Sequence, residues 1–91
     1  MVAMMLKRDY IIKATKEEVL LFIRDREWIT LHDLIEQFGY KYKGAERRLY
    51  RLSQARLITP WITKGQWTLT QDGFMKCEYY EERRKQPETE D

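Results

Sequence analysis

The sequence predicts a small α+β domain that is mostly α-helical. Apolar residues at helical spacing follow capping residues in several stretches, and two short β-rich runs flank a glycine in the second half. The 91 residues are enough for one hydrophobic core, and 43% hydrophobic residues with only 4 Gly and 2 Pro are typical of a packed globular chain. We expect one domain over residues 1–85 and a disordered acidic tail over 86–91.

The composition excludes several classes of protein. A single Cys and a single His leave no internal disulfide and too few ligands for a structural zinc site, so we expect no metal and no cofactor. No apolar run reaches the roughly 18 residues of a membrane span, and residues 1–16 lack the apolar core of a signal peptide. We therefore expect a cytoplasmic protein.

Two capping boxes predict the first two helices. Thr15 with Glu18 begins a helix over residues 16–27. Leu21 points almost opposite the main apolar stripe of this helix, so we expect another part of the protein to pack over it. Residues 28–30 form a stub strand, and Thr30 with Asp33 then begins a second helix. Gly39 ends this helix in the left-handed conformation.

A third helix is predicted over residues 44–55, after a connector at 40–43. Its core-facing side holds Ala45, Leu49 and Leu52. The opposite side holds cations and hydrogen-bonding groups without a carboxylate: Lys43, Arg47, Tyr50, Arg51 and Gln54. This outward side is the functional candidate.

Residues 57–62 and 66–69 predict a β-hairpin. Gly65 supplies the positive φ that the turn needs, and Pro60 belongs on an edge or at a bulge because it lacks an N–H. Thr70 caps a last helix over residues 71–85. Gly73 lies in the first turn of this helix, where glycine costs little stability compared with a position in the middle of a helix.

Positive charge is concentrated in the middle of the chain. Residues 41–68 contain seven Lys and Arg against Glu46 alone, a net charge of +6, whereas residues 1–40 carry −1 and residues 69–91 carry −3. Localised positive charge favours a polyanion, although a merely solvated charged face is the alternative.

The order of elements resembles the winged helix-turn-helix fold. Residues 28–38 resemble its strand and second helix, residues 39–42 its turn, and residues 45–58 its recognition helix running into the first wing strand. The sequence WTLTQDG at 67–73 is similar to the Y-x-L-T-x-x-G passage of MarR-like and PadR-like prokaryotic regulators. The resemblance covers residues 15–85. Two positions depart from it, since the family often has Gly where Arg56 stands and Ser or Thr where Lys41 stands, so the helix ends there are expected to differ in shape.

The resemblance implies a double-stranded DNA-binding transcriptional regulator whose third helix enters the major groove and whose wing touches the backbone or the minor groove. Arg47 and Arg51 then address base edges or clamp phosphate, and Gln54 is placed to read adenine. Tyr50 either stacks, bonds phosphate or has no specific role. Arg48 and Arg56 lie off the centre of the face, where packing of their stems and DNA contact are equal alternatives. Phosphate contacts are expected from Lys41, Lys43 and Lys64.

The sequence predicts no enzyme. Ser53 has no predicted His neighbour, His32 faces solvent just inside a helix start, and Asp33 with Glu36 is typical of a helix surface. The serious alternative to DNA binding is a winged helix used for protein contact, because a fold does not fix a function.

The two ends of the chain contain more apolar surface than a small helical core can hide, which favours a homodimer. The alternative is a monomer in which the N-terminal segment packs over Leu21. Cys77 is expected to be a buried, inert thiol, and a small-molecule effector cannot be assigned. The residues expected at the dimer interface are Met5, Tyr10, Ile11, Leu21, Tyr79 and Tyr80.

Overall fold

A computed structural model of the protein describes residues 14–85, so the predicted N-terminal arm and the tail at 86–91 lie outside the described residues. The predicted α+β class with mostly helical content is confirmed. No helix within the described residues is long and apolar enough to cross a membrane. The elements, in chain order, are α1 (Lys16–Arg26), α2 (Leu31–Phe38), α3 (Tyr42–Gln54), β1 (Ile58–Pro60), β2 (Trp67–Leu69) and α4 (Gln71–Lys85).

Both predicted capping boxes are present. The Thr15 hydroxyl accepts from the Glu18 amide at 3.1 Å, and the Glu18 carboxylate accepts from the Thr15 amide at 3.0 Å. Thr30 and Asp33 make the same reciprocal pair at the start of α2. Gly39 ends α2 with φ 77°, as predicted. Local hydrogen bonds therefore fix the ends of α1 and α2 that the sequence predicts.

The third helix differs from its prediction at its start. It begins at Tyr42 instead of residue 44, with Lys41 as an N-cap that makes no side-chain hydrogen bond. Lys41 lacks the short acceptor side chain that usually marks a helix start, so the sequence did not signal this boundary. After the helix, Arg56 adopts φ 62°, the left-handed region in which the resembled proteins often have Gly.

The hairpin is confirmed with shorter strands than predicted. Strands β1 and β2 are antiparallel, with Ile58 opposite Leu69 and Pro60 opposite Trp67. On the other side of β2, Ile29 exchanges two backbone hydrogen bonds with Trp67, so the stub strand is reduced to one residue. Strand β1 is therefore the edge, and Pro60 lies on it as expected.

The core lies where α1 packs on α4 and β2, and where α2 packs on α3. Leu21 packs against this core and is half-buried, so part of its side chain is removed from solvent. Two surface ion pairs join α1 to α4, Arg24 to Glu81 and Arg84 to Glu17, both at 2.9 Å. The core is composed of Ala14, Val19, Leu20, Ile23, Ile29, Leu34, Ala45, Leu49, Leu52, Leu57, Ile58, Leu69, Cys77 and Tyr80.

The turn from the wing into α4 is held by Thr70 and Gly73. The Thr70 hydroxyl donates to the Arg56 carbonyl at 2.7 Å and accepts from the Gly73 amide at 3.0 Å, which confirms the predicted cap. A Cβ on Gly73 would collide with the Leu57 carbonyl oxygen. The sequence predicted that Gly73 costs little in a first turn but gave no reason for glycine there. The structure supplies one, because the close approach of α4 to the chain before β1 requires a residue without a side chain.

Candidate nucleic-acid interface

Helix α3 divides into a buried side and an exposed side as its periodicity predicts. Ala45, Leu49 and Leu52 are buried in the core. The five residues predicted to face outward are all exposed: Lys43, Arg47, Tyr50, Arg51 and Gln54. The helix thus presents three cations and two hydrogen-bonding side chains to solvent.

The exposed cations of the basic segment have no anionic partner. Within residues 14–85, every ion pair involves Arg24 or Arg84, which lie on α1 and α4. Unneutralised charge on one segment favours a mobile or external polyanion over an internal salt bridge. The exposed, unpaired cations of residues 41–68 are Lys41, Lys43, Arg47, Arg51, Arg56 and Lys64.

One carboxylate lies closer to this face than the helical wheel suggests. Glu46 is exposed and lines a shallow depression together with Lys43, Arg47 and Tyr50. The outward side of α3 was expected to contain no carboxylate, whereas Glu46 lies at the edge of that side. On a surface that contacts DNA, a carboxylate accepts hydrogen bonds only from base amino groups such as cytosine N4 and repels phosphate.

The wing and α3 border a common groove. A depression of about 380 Å³ is lined by Leu31 of α2, by Gly65 and Trp67 of the wing, and by one side of α3. The α3 residues in this lining are Tyr42, Glu46, Leu49, Tyr50 and Ser53. Of the outward side of α3, Tyr50 alone borders this groove, so the hairpin adjoins that side at its Tyr50 edge.

Lys64 is exposed at the wing tip, as predicted. Sequence reasoning missed its neighbours Trp61 and Ile62, which are 44% and 80% exposed. Both belong to a β-prone run, and a β-prone pattern alone does not distinguish a strand residue from a residue displayed at the tip.

Arg48 has a structural role. Its guanidinium donates to the Ala14 carbonyl at 2.8 Å and to the Tyr40 hydroxyl at 3.0 Å, so it ties α3 to the chain two residues before α1 and to the connector after α2. Of the alternatives for Arg48, packing is thus the one observed. Cys77 is fully buried as expected, and burial raises the pKa of its thiol. Among the described residues, no cluster of metal-ligating side chains occurs.

The residues predicted for a dimer interface divide into four groups, of which the first is Leu21, half-buried against the core. Tyr79 is exposed on α4, next to exposed Phe74 and Met75, which the interface prediction did not include. Tyr80 is only 7% exposed and packs in the core, where burial raises the pKa of its hydroxyl, so it offers little surface and its place at an interface stays a prediction. Met5, Tyr10 and Ile11 lie outside the described residues.

No protein-family model and no curated protein matches the chain in sequence. Solved structures do match in fold. A mutant of MarR from Escherichia coli, in complex with operator DNA, matches with a TM-score of 0.66 and 22% sequence identity. The match covers 85% of the present chain and 65% of the MarR chain. BpsR from Bordetella bronchiseptica, studied for regulation of its DNA binding by 6-hydroxynicotinic acid, matches with a TM-score of 0.69 and 23% sequence identity. This match covers 90% of the present chain and 72% of the BpsR chain.

A third match is a mutant of ZitR from Lactococcus lactis in its apo form, with a TM-score of 0.65, 14% identity, and coverage of 91% of this chain and 66% of that one. This chain therefore spans about two thirds of the length of these structures. The neighbours are MarR-family transcriptional regulators. The chain has a MarR-like winged-helix fold, which confirms the resemblance seen in residues 15–85.

Proposed function

We propose that this protein binds double-stranded DNA in a sequence-specific manner as a small transcription regulator, with α3 in the major groove and the wing against the adjacent backbone. The observation that carries the proposal is the exposed side of α3, where Arg47 and Arg51 have no carboxylate partner. A helix about 10–12 Å wide with its cations outward fits the major groove, which is about 12 Å wide.

The side chains divide by the contacts they suit. Arg47 and Arg51, one helical turn apart, each present a planar fork that binds guanine O6 and N7 or a phosphate. Gln54, in the last turn of α3, has the amide that pairs with adenine. Lys41 and Lys43 lie at the start of α3, where free backbone N–H groups also favour anions, so phosphate is their partner.

The protein acts as a homodimer in this proposal. The exposed face of α4 mixes Phe74, Met75 and Tyr79 with Glu78 and Glu82, a composition suited to a contact that excludes water at its centre. A two-fold dimer would present two α3 helices to half-sites about 34 Å apart, on one side of the duplex. The operator structure of MarR supports DNA as the partner of this fold.

The test is fluorescence anisotropy of a labelled mixed-sequence duplex titrated with the protein at several salt concentrations. Non-specific binding comes mainly from phosphate neutralisation, so no knowledge of the operator is needed. We expect affinity to fall by orders of magnitude between about 50 and 200 mM salt. Enrichment of one motif from a random-sequence pool then tests specificity. Absence of binding at low salt would contradict the proposal and favour a protein partner.

A further inference from the structure

The wing tip displays apolar side chains that the core does not use. Trp61 and Ile62 follow Pro60, the last residue of β1, and are 44% and 80% exposed. Adjacent large apolar side chains in water are unfavourable unless a partner covers them. The feature needs an explanation beyond packing within the described chain.

Backbone hydrogen bonds hold the tip in one shape. The Trp61 amide donates to the Gln66 carbonyl at 2.8 Å, and the Gln66 amide donates to the Thr63 carbonyl at 3.0 Å. The Gln66 side chain accepts from the Thr63 amide at 3.1 Å, and Gly65 takes φ 92° to close the turn. A preorganised tip loses little conformational entropy when it inserts into a partner.

The surroundings of the tip indicate which partner it meets. Gly65 and Trp67 border the same groove as Tyr50 of α3, so the base of the tip adjoins one edge of the outward side of α3. Lys64 is the only charged residue in residues 57–68, and it is exposed. Within the tip, apolar side chains stand beside a single cation, and the one carboxylate of the adjoining groove, Glu46, belongs to α3. This combination matches a duplex, whose grooves expose base edges, some of which donate hydrogen bonds, between phosphates.

We propose that Trp61 and Ile62 enter the minor groove beside the α3 contact and act as an apolar wedge that partly unstacks one base step, with Lys64 on the neighbouring phosphate. The inference rests on the proposed DNA-binding function. Wedges of this kind kink duplexes toward the major groove, and pyrimidine–purine steps yield most easily. The protein therefore prefers sites with a TA or CA step at a fixed distance from the bases that α3 contacts.

The test compares a wedge variant, Trp61→Thr with Ile62→Thr, with the control Lys64→Ala. Threonine keeps β-propensity and the backbone hydrogen bonds of the tip. Binding is measured by anisotropy against salt, bending by energy transfer between end labels, and unstacking by 2-aminopurine fluorescence at the flexible step. Far-UV circular dichroism checks folding, and the single variant Ile62→Thr serves if the double variant loses helix content.

We expect the wedge variant to bind about tenfold more weakly with an unchanged salt slope, because no phosphate contact is lost, and to lose the bend and the 2-aminopurine signal. Lys64→Ala should keep the bend and make the salt slope shallower by about 0.9. A wild-type protein that binds without bending, or a wedge variant of equal affinity, overturns the wedge and leaves the proposed function intact.

Two further outcomes would also overturn the wedge. If the variant lowers the mass by light scattering without changing DNA affinity, the tip contacts protein and not DNA. If the wild-type protein binds no duplex at low salt, the proposed function fails together with the wedge.

Discussion

Two helical glycines at equivalent positions have opposite surroundings. Gly44 and Gly73 are the third residues of α3 and α4. A Cβ on Gly44 would meet only Tyr40 Cδ1, at 3.4 Å, which is an ordinary contact. A Cβ on Gly73 would overlap the Leu57 carbonyl oxygen and lie 3.0 Å from Leu69 Cδ2. Substitution by alanine should therefore change stability in opposite directions.

The magnitudes follow from the contacts. Alanine is more favourable than glycine in a helix by up to about 1 kcal/mol, so Gly44→Ala should raise the free energy of unfolding by up to that amount. In Gly73→Ala the Leu57 carbonyl must move, although it accepts the Thr70 amide at 3.0 Å. Overpacking costs about 1–3 kcal/mol and the weakened hydrogen bond about 1 kcal/mol. Subtracting the helix-propensity gain of about 1 kcal/mol for alanine leaves a net loss of about 1–3 kcal/mol.

The assay is urea and thermal unfolding of the wild type and both variants, followed by far-UV circular dichroism. For a domain of this size, each kcal/mol corresponds to a shift of about 4–8 °C in Tm. Gly73→Ala should melt below the wild type and Gly44→Ala at or above it. A Gly73→Ala variant as stable as the wild type would refute the reasoning, because it would show that α4 does not need its close approach to Leu57.

Three further predictions concern packing, ionisation and assembly. Arg48→Ala should lower the free energy of unfolding by about 1–3 kcal/mol in a urea titration, because it removes a charged donor from the Ala14 carbonyl; an unchanged midpoint would contradict this. Burial raises the pKa of Cys77, so the native thiol should react slowly with iodoacetamide, and stability should fall as the pH rises above about 8.5, where the unfolded thiol ionises; rapid native labelling would contradict this. Phe74→Glu with Tyr79→Glu should give a monomer by light scattering, whereas an unaltered dimer mass would place the contact elsewhere.

The parts of the fold that local hydrogen bonds determine were predictable from the sequence. Thr15, Thr30 and Thr70 cap helices where the pattern indicated, and Gly39 ends α2 as expected. These features depend on residues three or four positions apart, which a sequence shows directly. The start of α3 at Tyr42 was missed because no short polar side chain precedes it.

Features that depend on tertiary packing were less predictable. Helical periodicity correctly assigned the exposed side of α3, but it did not show that Glu46 lies beside the cations. Tyr80 and Tyr79 are adjacent in sequence, yet the first is buried and the second exposed, because only one of them faces α1 and the core. Likewise, the steric need for glycine at position 73 arises from Leu57, sixteen residues earlier in the chain.

The salt dependence of duplex binding by two double variants tests whether the outward side of α3 is the DNA-contacting surface. Arg47→Ala with Arg51→Ala removes two cations from α3, and Lys16→Ala with Arg26→Ala removes two exposed cations from α1. We expect at least about 30-fold weaker binding for the α3 variant, with a salt slope shallower by up to about 1.8, and near wild-type binding for the α1 variant. Equal losses in the two variants, or an α3 variant that binds like the wild type, would contradict this expectation.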